Sequence, residues 1–214
     1  MNRCITLIFL LANFMFSGCG NFSPRADPSR FFTLTAIAQP AARATKESSN
    51  PDGVSLGIGP IRLPGYLDRQ EIATRVSPNR IDLSEYDHWA EPLETNFDRV
   101  LGQNLAALLP INRLVFFPWE STRSPAYQVE VEVLRFEASA AGDVQLSARW
   151  AVIETSKKVA LKSGETHLVR QPAVKSTDAA VAALSETLGD LSREIANAIG
   201  TIVGQKNLSG AVSN

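Results

Sequence analysis

The chain has very little of the side-chain chemistry on which most enzymes and metal proteins depend. Its 214 residues include two cysteines, Cys4 and Cys19, and two histidines, His88 and His167. Neither histidine stands at a metal-ligand spacing from a second ligand. The G-x-S-x-G sequence of serine hydrolases is absent, and the G-x-G at residues 57–59 lacks the third glycine of a dinucleotide site. We therefore expect no catalytic centre, no metal and no cofactor.

The chain also lacks an excess of charge of either sign and a long hydrophobic run. Lys and Arg number 21 against 22 Asp and Glu, for a formal net charge of −1. A nucleic-acid partner is therefore not expected, because such proteins present a basic surface. The longest apolar stretch, residues 5–16, is shorter than the roughly 20 residues that span a bilayer.

The first nineteen residues are typical of a bacterial lipoprotein signal. Arg3 gives a positive start, the apolar run follows, and small residues precede Cys19. This ending resembles a lipobox, in which the cysteine thiol takes a diacylglycerol group and becomes the new N-terminus. Phe16 departs from the usual Leu, and an ordinary signal peptide with a chance cysteine is the alternative. We predict a signal peptide at residues 1–18 and lipidation of Cys19.

Removal of residues 1–18 leaves 196 residues, a length that suits one domain. Cys19 is then the only cysteine, so no disulfide can form within the chain. Residues 19–30 contain two prolines and small polar residues, which predict a flexible tether. A single domain is expected at residues 31–203, followed by a disordered tail at residues 204–214.

Strand and helix patterns divide the domain into a sheet and two helices. Apolar and polar residues alternate along several segments, as in strands with one buried face. A first helix should begin at Pro92 and end before Pro110, and a second should begin at Thr177. Predicted strands cover residues 31–37, 54–61, 71–76, 80–83, 113–117, 127–133, 144–152 and 159–169, with a long loop at 38–53. The fold class is α+β: a largely antiparallel or mixed β-sheet with two long amphipathic helices packed on one face.

The segment at residues 57–93 has the composition of an interaction surface. It gathers Gly, Pro, Tyr, Trp and Arg around short strands, and Tyr66, Arg69 and Trp89 are residue types common in binding interfaces. In the alternative interpretation, Tyr66 and Trp89 only plug the edge of the sheet and Arg69 pairs with a neighbouring carboxylate.

Four motifs in order along the chain resemble a known family, the PqiC/YmbA-like auxiliary lipoproteins of bacterial MCE-type lipid transport systems. The resemblance covers roughly residues 30–203, and its most specific part is the GP-x-x-LP-x-YLDR run. It departs from the family where Phe31-Phe32 replaces a commoner Tyr pair and where Gln70-Glu71 stands in place of a Pro. The motifs are FFTL at 31–34, GIGPIRLPGYLDR at 57–69, TR at 74–75 and WAEPL at 89–93.

The resemblance implies a non-catalytic lipoprotein, anchored through Cys19 on the periplasmic face of the outer membrane. It would be the auxiliary component of an MCE/ABC-type, PqiABC-like system. Its expected partners are an MCE-domain (PqiB-like) protein and the outer membrane, with phospholipid and a second copy of the chain as further candidates. The family's fold is similar to the N-terminal domain of TolB-type proteins. The expected partner-binding residues are Arg62, Leu63, Pro64, Gly65, Tyr66, Leu67, Arg69, Trp89 and Glu91.

Two other functions remain open from the sequence. A structural or assembly lipoprotein of the cell envelope would carry the same anchor and the same lack of catalytic residues. A periplasmic hydrolase would need an unrecognised centre near His88. A lipid-binding cavity is a separate question, because the apolar residues of the strands fit an ordinary core equally well.

Overall fold

The computed structural model describes residues 26–37, 54–120, 122 and 124–212. The predicted signal peptide, Cys19, most of the predicted tether and the loop at 38–53 lie outside the described residues. The elements, in chain order, are β1 (Arg30–Phe32), β2 (Val54–Arg62), β3 (Glu71–Ser77), β4 (Arg80–Trp89), α1 (Leu93–Leu108), β5 (Ile111–Phe116), β6 (Tyr127–Ser139), β7 (Val144–Glu154), β8 (Val159–Arg170) and α2 (Thr177–Val212).

The eight strands form one mixed sheet organised around β6. On one side, β6 pairs antiparallel with β7, and β7 with β8, as the alternating pattern predicted. On its other side, the first half of β6 runs parallel to β2, which is flanked by β5. The end of β6 runs parallel to β3, and β4 and β1 extend the sheet from there. The predicted α+β class, with a mixed sheet and two helices, is confirmed.

Both helices pack against one another and against the sheet. The apolar stripe of α1 is fully buried, and Phe97 meets Phe136 of β6 edge to face, with ring centroids 5.3 Å apart. Pro92 caps α1, because its carbonyl accepts from the Asn96 amide at 3.0 Å. The predicted start of this helix is therefore confirmed.

The second helix is longer than predicted. It runs to Val212, so the expected tail from residue 204 is wrong up to that point. Lys206 holds this part of the helix against the sheet. Its Nζ lies 3.6 Å from a carboxylate oxygen of Glu154 and 5.6 Å from the ring centroid of Tyr127. This ion pair and ring contact connect the last part of the helix to β7 and β6.

The first predicted strand, residues 31–37, is wrong over most of its length. Only β1 pairs with the sheet, and residues 33–37, the strap, run extended between the two helices. The Leu34 amide donates to Oδ1 of Asn96 at 2.8 Å, and the Ile37 amide donates to Oδ1 of Asn104 at 2.8 Å. Side-chain acceptors on α1 thus replace the hydrogen bonds of a strand ladder.

The predicted strand at 80–83 is much too short, since β4 continues to Trp89. The second half of β4 pairs with β1 along one side, and the buried carboxylate of Asp87 also holds it in place. Asp87 accepts from Arg30 Nε at 2.7 Å and from the Thr177 hydroxyl at 2.5 Å. This cluster ties β1 and β4 to the start of α2, which sequence periodicity alone does not reveal.

Candidate interaction surface

The loop between β2 and β3 folds back on itself through its Pro-Gly pair. The Leu67 amide donates to the Pro64 carbonyl at 2.9 Å, and the Arg69 amide donates to the Leu67 carbonyl at 2.9 Å. Leu67 is 3% exposed and belongs to the core. Its side chain therefore holds the turn down and does not form part of the surface.

Tyr66 anchors the same loop through a buried carboxylate. Its hydroxyl donates to Oε2 of Glu137 at 2.8 Å, and Arg75 donates from Nε to Oε1 of that carboxylate at 2.6 Å. The Phe136 amide donates to Oε2 at 2.9 Å. Glu137 is only 3% exposed, and the Arg75 guanidinium lies 5.5 Å from the centroid of the Tyr66 ring. Tyr66 thus fastens the loop to β3 and β6.

The electrostatics of this cluster keep Tyr66 a hydrogen-bond donor. Burial, reinforced by the hydrogen bond to Glu137, raises the pKa of Tyr66 to about 12. The hydrogen bond to Glu137 also raises the pKa of Arg75. The buried carboxylate of Glu137 is paired with the Arg75 cation and accepts hydrogen bonds from two further donors, so its charge and its acceptor oxygens are satisfied.

Trp89 and Glu91 stabilise the other side of the segment. Trp89 is 5% exposed, and its amide donates to the Gln70 carbonyl at 2.7 Å. Glu91 accepts from Arg99 at 2.6 Å and from the side-chain amide of Asn96, and the Arg99 hydrogen bond is the main cause that lowers the pKa of Glu91. The Trp89 side chain is therefore a core residue, and Glu91 supports the helix start and the strap.

Two glycines of the segment let another loop approach β2. A Cβ on Gly57 would lie 2.6 Å from Pro125 and 2.8 Å from the Trp119 ring. Gly59 has φ +100°, which favours glycine, and a Cβ there would lie 2.9 Å from Phe117. At both positions, therefore, neighbouring side chains come close to the β2 backbone.

What remains on the surface is a small basic loop, formed by Arg62, Gly65 and Arg69. All three are exposed, and the flanking Leu63 and Pro64 are half-buried. Neither arginine makes an ion pair or a side-chain hydrogen bond with any residue that the structure describes. The alternative in which Arg69 pairs with Asp68 or Glu71 is thus not observed, and two cationic groups stand free in solvent.

The two histidines lie on different strands, His88 on β4 and His167 on β8. Within the described ranges, no group of three His, Cys, Asp or Glu side chains could hold a metal ion. His88 is half-buried with its ring 5.8 Å from that of Phe31, and no described group bonds its Nδ1. His167 is exposed, with its Nδ1 3.0 Å from the Ser147 hydroxyl and its Nε2 3.2 Å from a carboxylate oxygen of Glu165.

Sequence reasoning missed the buried polar residues that organise this surface. Glu137, Asp87, Asn96 and Asn104 are each less than a tenth exposed, and each accepts hydrogen bonds from a different segment. The available signal was a polar residue at an inward position, as at Asn96 and Asn104 within the apolar stripe of α1. Which groups they meet depends on the packing of distant segments.

Two solved structures share the fold. The first, described as a crystal structure of an uncharacterized protein, is 20% identical, with a TM-score of 0.64, covering 80% of this chain and 98% of its own. The second is protein XCC0632 from Xanthomonas campestris, a DUF330 protein, 18% identical with a TM-score of 0.65, covering 84% of this chain and 99% of its own. No curated protein matches the chain.

The fold is thus an α+β domain shared with a DUF330 protein. The family model for the ABC-type transport auxiliary lipoprotein component matches residues 32–196, and the chain belongs to that family. The expected resemblance is confirmed, and with it a role as an auxiliary transport component. None of the helices that the structure describes is long and apolar enough to cross a membrane.

Proposed function

We propose that the chain is a non-catalytic, lipid-anchored component of an MCE-type, PqiABC-like lipid transport system. Acylated Cys19 holds it on the periplasmic face of the outer membrane. The basic loop then docks the MCE-domain partner that reaches across from the inner membrane. The membership of the auxiliary lipoprotein family supports the transport role, and the lipobox-like end at Cys19 supports the anchor.

The observation that carries the docking role is the pair of unpaired arginines on a fixed loop. Arg62 and Arg69 are exposed and neither forms an ion pair with a described carboxylate, although Asp68 beside Arg69 is also exposed. Beneath them, the buried Tyr66–Glu137–Arg75 cluster holds the backbone in place. A preformed loop loses little conformational entropy on binding, and its free cations favour an acidic surface on the partner.

The test is co-purification of the partner from cells that express the full chain. Charge reversal of both arginines, Arg62→Glu with Arg69→Glu, should reduce recovery of the MCE-domain protein at least tenfold. Lys162→Glu is the matched control, because Lys162 is an exposed cation on β8 that makes no ion pair with the described residues. Equal recovery with both variants, or no MCE-domain protein bound to the wild type, would contradict the proposal.

The anchor is tested separately by the Cys19→Ser variant. Loss of the acylated residue should move the protein from the membrane fraction to the soluble periplasmic fraction, because stable attachment of a chain without a membrane span depends on its acyl groups. A variant that remains in the outer-membrane fraction after a high-salt wash would show that the thiol is not the anchor.

A further inference from the structure

Three large apolar side chains lie uncovered at the edge of the sheet where the chain enters the domain. Phe31 of β1 is 68% exposed, and Leu83 and Tyr86 of β4 are 42% and 45% exposed. We call these three residues the edge patch. Single exposed apolar residues are common, but three large ones on two adjoining strands at one edge of a sheet favour an interaction site.

The pairing of β1 with β4 places Phe31 and Tyr86 on one face. The Asp87 carboxylate points to the helix side, where it binds the Thr177 hydroxyl at the start of α2. Because side chains alternate along a strand, Tyr86 and His88 point to the opposite face. Phe31 is the register partner of His88, and their rings are 5.8 Å apart.

Leu83 lies on the same face as His88. The two residues pair with Ala73 and Glu71 respectively, which stand two positions apart on β3 and therefore share a face. The register of β4 shifts between these pairs, and Tyr86 lies within that stretch. The three residues of the edge patch therefore lie on the side of the sheet that faces away from both helices.

The length of chain before β1 limits what can cover the edge patch. Ten residues lie between Cys19 and Arg30, and even fully extended this stretch spans only about 40 Å. Arg30 is held to Asp87 by an ion pair of 2.6 Å, so the tether leaves the domain beside Phe31. Once Cys19 carries its lipid, the tether keeps this edge of the domain close to the membrane. The effective concentration of membrane surface around the edge patch is therefore high.

We infer that the edge patch rests on the membrane that holds the lipid anchor, with Phe31, Leu83 and Tyr86 inserted among the lipid headgroups. The inference rests on the lipid attachment in the proposed function. A tyrosine with an apolar ring and a polar hydroxyl suits this interface. The nearest cation at the hairpin tip, Arg80, is paired with Asp82 at 3.0 Å, so contact does not require anionic lipid.

This placement has a consequence for the docking of a partner. The backbone of Trp89 in β4 lies beside the basic loop, because its amide donates to the Gln70 carbonyl next to Arg69. The basic loop therefore adjoins the edge patch. A partner bound at Arg69 would therefore be held close to the membrane surface.

The experiment attaches the mature chain, residues 19–214, to vesicles at its natural anchor position. Its one thiol, at Cys19, is coupled to a maleimide phospholipid in phosphatidylcholine vesicles whose acyl chains carry bromine. Brominated lipid quenches tryptophan fluorescence only at short range. Tyr86→Trp reports on the edge patch, and Val169→Trp is the matched control, since Val169 is 65% exposed on β8 at the other edge of the sheet.

After subtraction of the wild-type signal, the indole at position 86 should be quenched at least twofold, and the indole at position 169 should not. Adding Phe31→Ser to Tyr86→Trp should lower the ratio of docked to undocked protein roughly tenfold, because burial of an exposed Phe side chain favours the docked state by about that factor. Equal quenching at positions 86 and 169 would overturn the inference.

A measurement on the unaltered sequence guards against a misfolded reporter. Amide hydrogen exchange over residues 30–32 and 80–89 should slow at least twofold when the wild-type chain is coupled to vesicles, while β8 is unaffected. Unchanged exchange in those strands would also overturn the inference. Chemical coupling imposes the anchor, so these results do not depend on acylation or on a partner in cells, and the proposed function can fail independently.

Discussion

Removal of the Tyr66 hydroxyl should destabilise the domain while leaving the basic loop exposed. In Tyr66→Phe the ring still packs beside Arg75, but Glu137 loses one of its three donors, at 2.8 Å. A hydrogen bond to a charged group contributes about 1.5–3 kcal/mol, and Glu137 is too buried to recruit water in its place. We therefore expect the free energy of unfolding to fall by about 2 kcal/mol.

The assay is urea unfolding at pH 7, followed by tryptophan fluorescence. The midpoint should decrease with no change in the slope m, because the surface exposed on unfolding is the same. For a domain of this size, a loss of about 2 kcal/mol lowers the thermal midpoint by roughly 4–8 °C. A double-mutant cycle with Glu137→Gln should show a coupling above about 1 kcal/mol, since the two groups touch.

Tyr86→Phe is the matched control for the same chemical change at an exposed site. Tyr86 is 45% exposed, so loss of its hydroxyl should alter stability by less than about 0.5 kcal/mol. If Tyr66→Phe were as stable as Tyr86→Phe, the buried hydrogen bond would contribute nothing, and the assignment of Tyr66 as the anchor of the loop would be wrong.

Three further changes test other parts of the structure. Gly57→Ala should cost about 1–3 kcal/mol in urea unfolding because a Cβ there would meet neighbouring side chains at under 3 Å, whereas Gly65→Ala, with open space around it, should be nearly neutral. Asn96→Ala should speed amide exchange in the strap and cost about 1–3 kcal/mol, because the Leu34 amide loses its acceptor, while the exposed Asn197→Ala should change neither. Burial raises the pKa of Asp98 to about 7, so the native state holds that proton more tightly than the unfolded chain, and stability falls as pH rises from about 4 to about 7. Asp98→Asn should remove this pH dependence of stability and raise the free energy of unfolding by about 1–2 kcal/mol at pH 8. This value is reduced because the carboxyl is only partly buried. An unchanged pH dependence would refute the reasoning.

Local patterns predicted the elements whose structure depends on nearby residues. Alternation along residues 127–169 predicted the antiparallel meander, and Val129, Val131 and Val133 are indeed its buried face. Pro92 and Pro110 bracketed the first helix for steric reasons that hold in any context.

The candidate surface was predicted less well, because composition cannot distinguish an aromatic residue on a surface from one that supports it. Trp89 and Leu67 proved to be core residues, and Tyr66 is half-buried against Glu137. Of the nine residues expected to bind a partner, only Arg62, Gly65 and Arg69 of the basic loop are exposed. That these three residues bind a partner stays a prediction.

By itself, the sequence determined the fold class, the family and the expectation of a lipid anchor at Cys19, because each depends on residue type and spacing along the chain. The tertiary structure decided the rest. Residues 33–37 have strand-like composition, yet they lie between the helices because Asn96 and Asn104 offer acceptors that a strand pattern does not reveal. Likewise, only the packing of three segments around Glu137 decides that Tyr66 points inward and leaves the arginines beside it free.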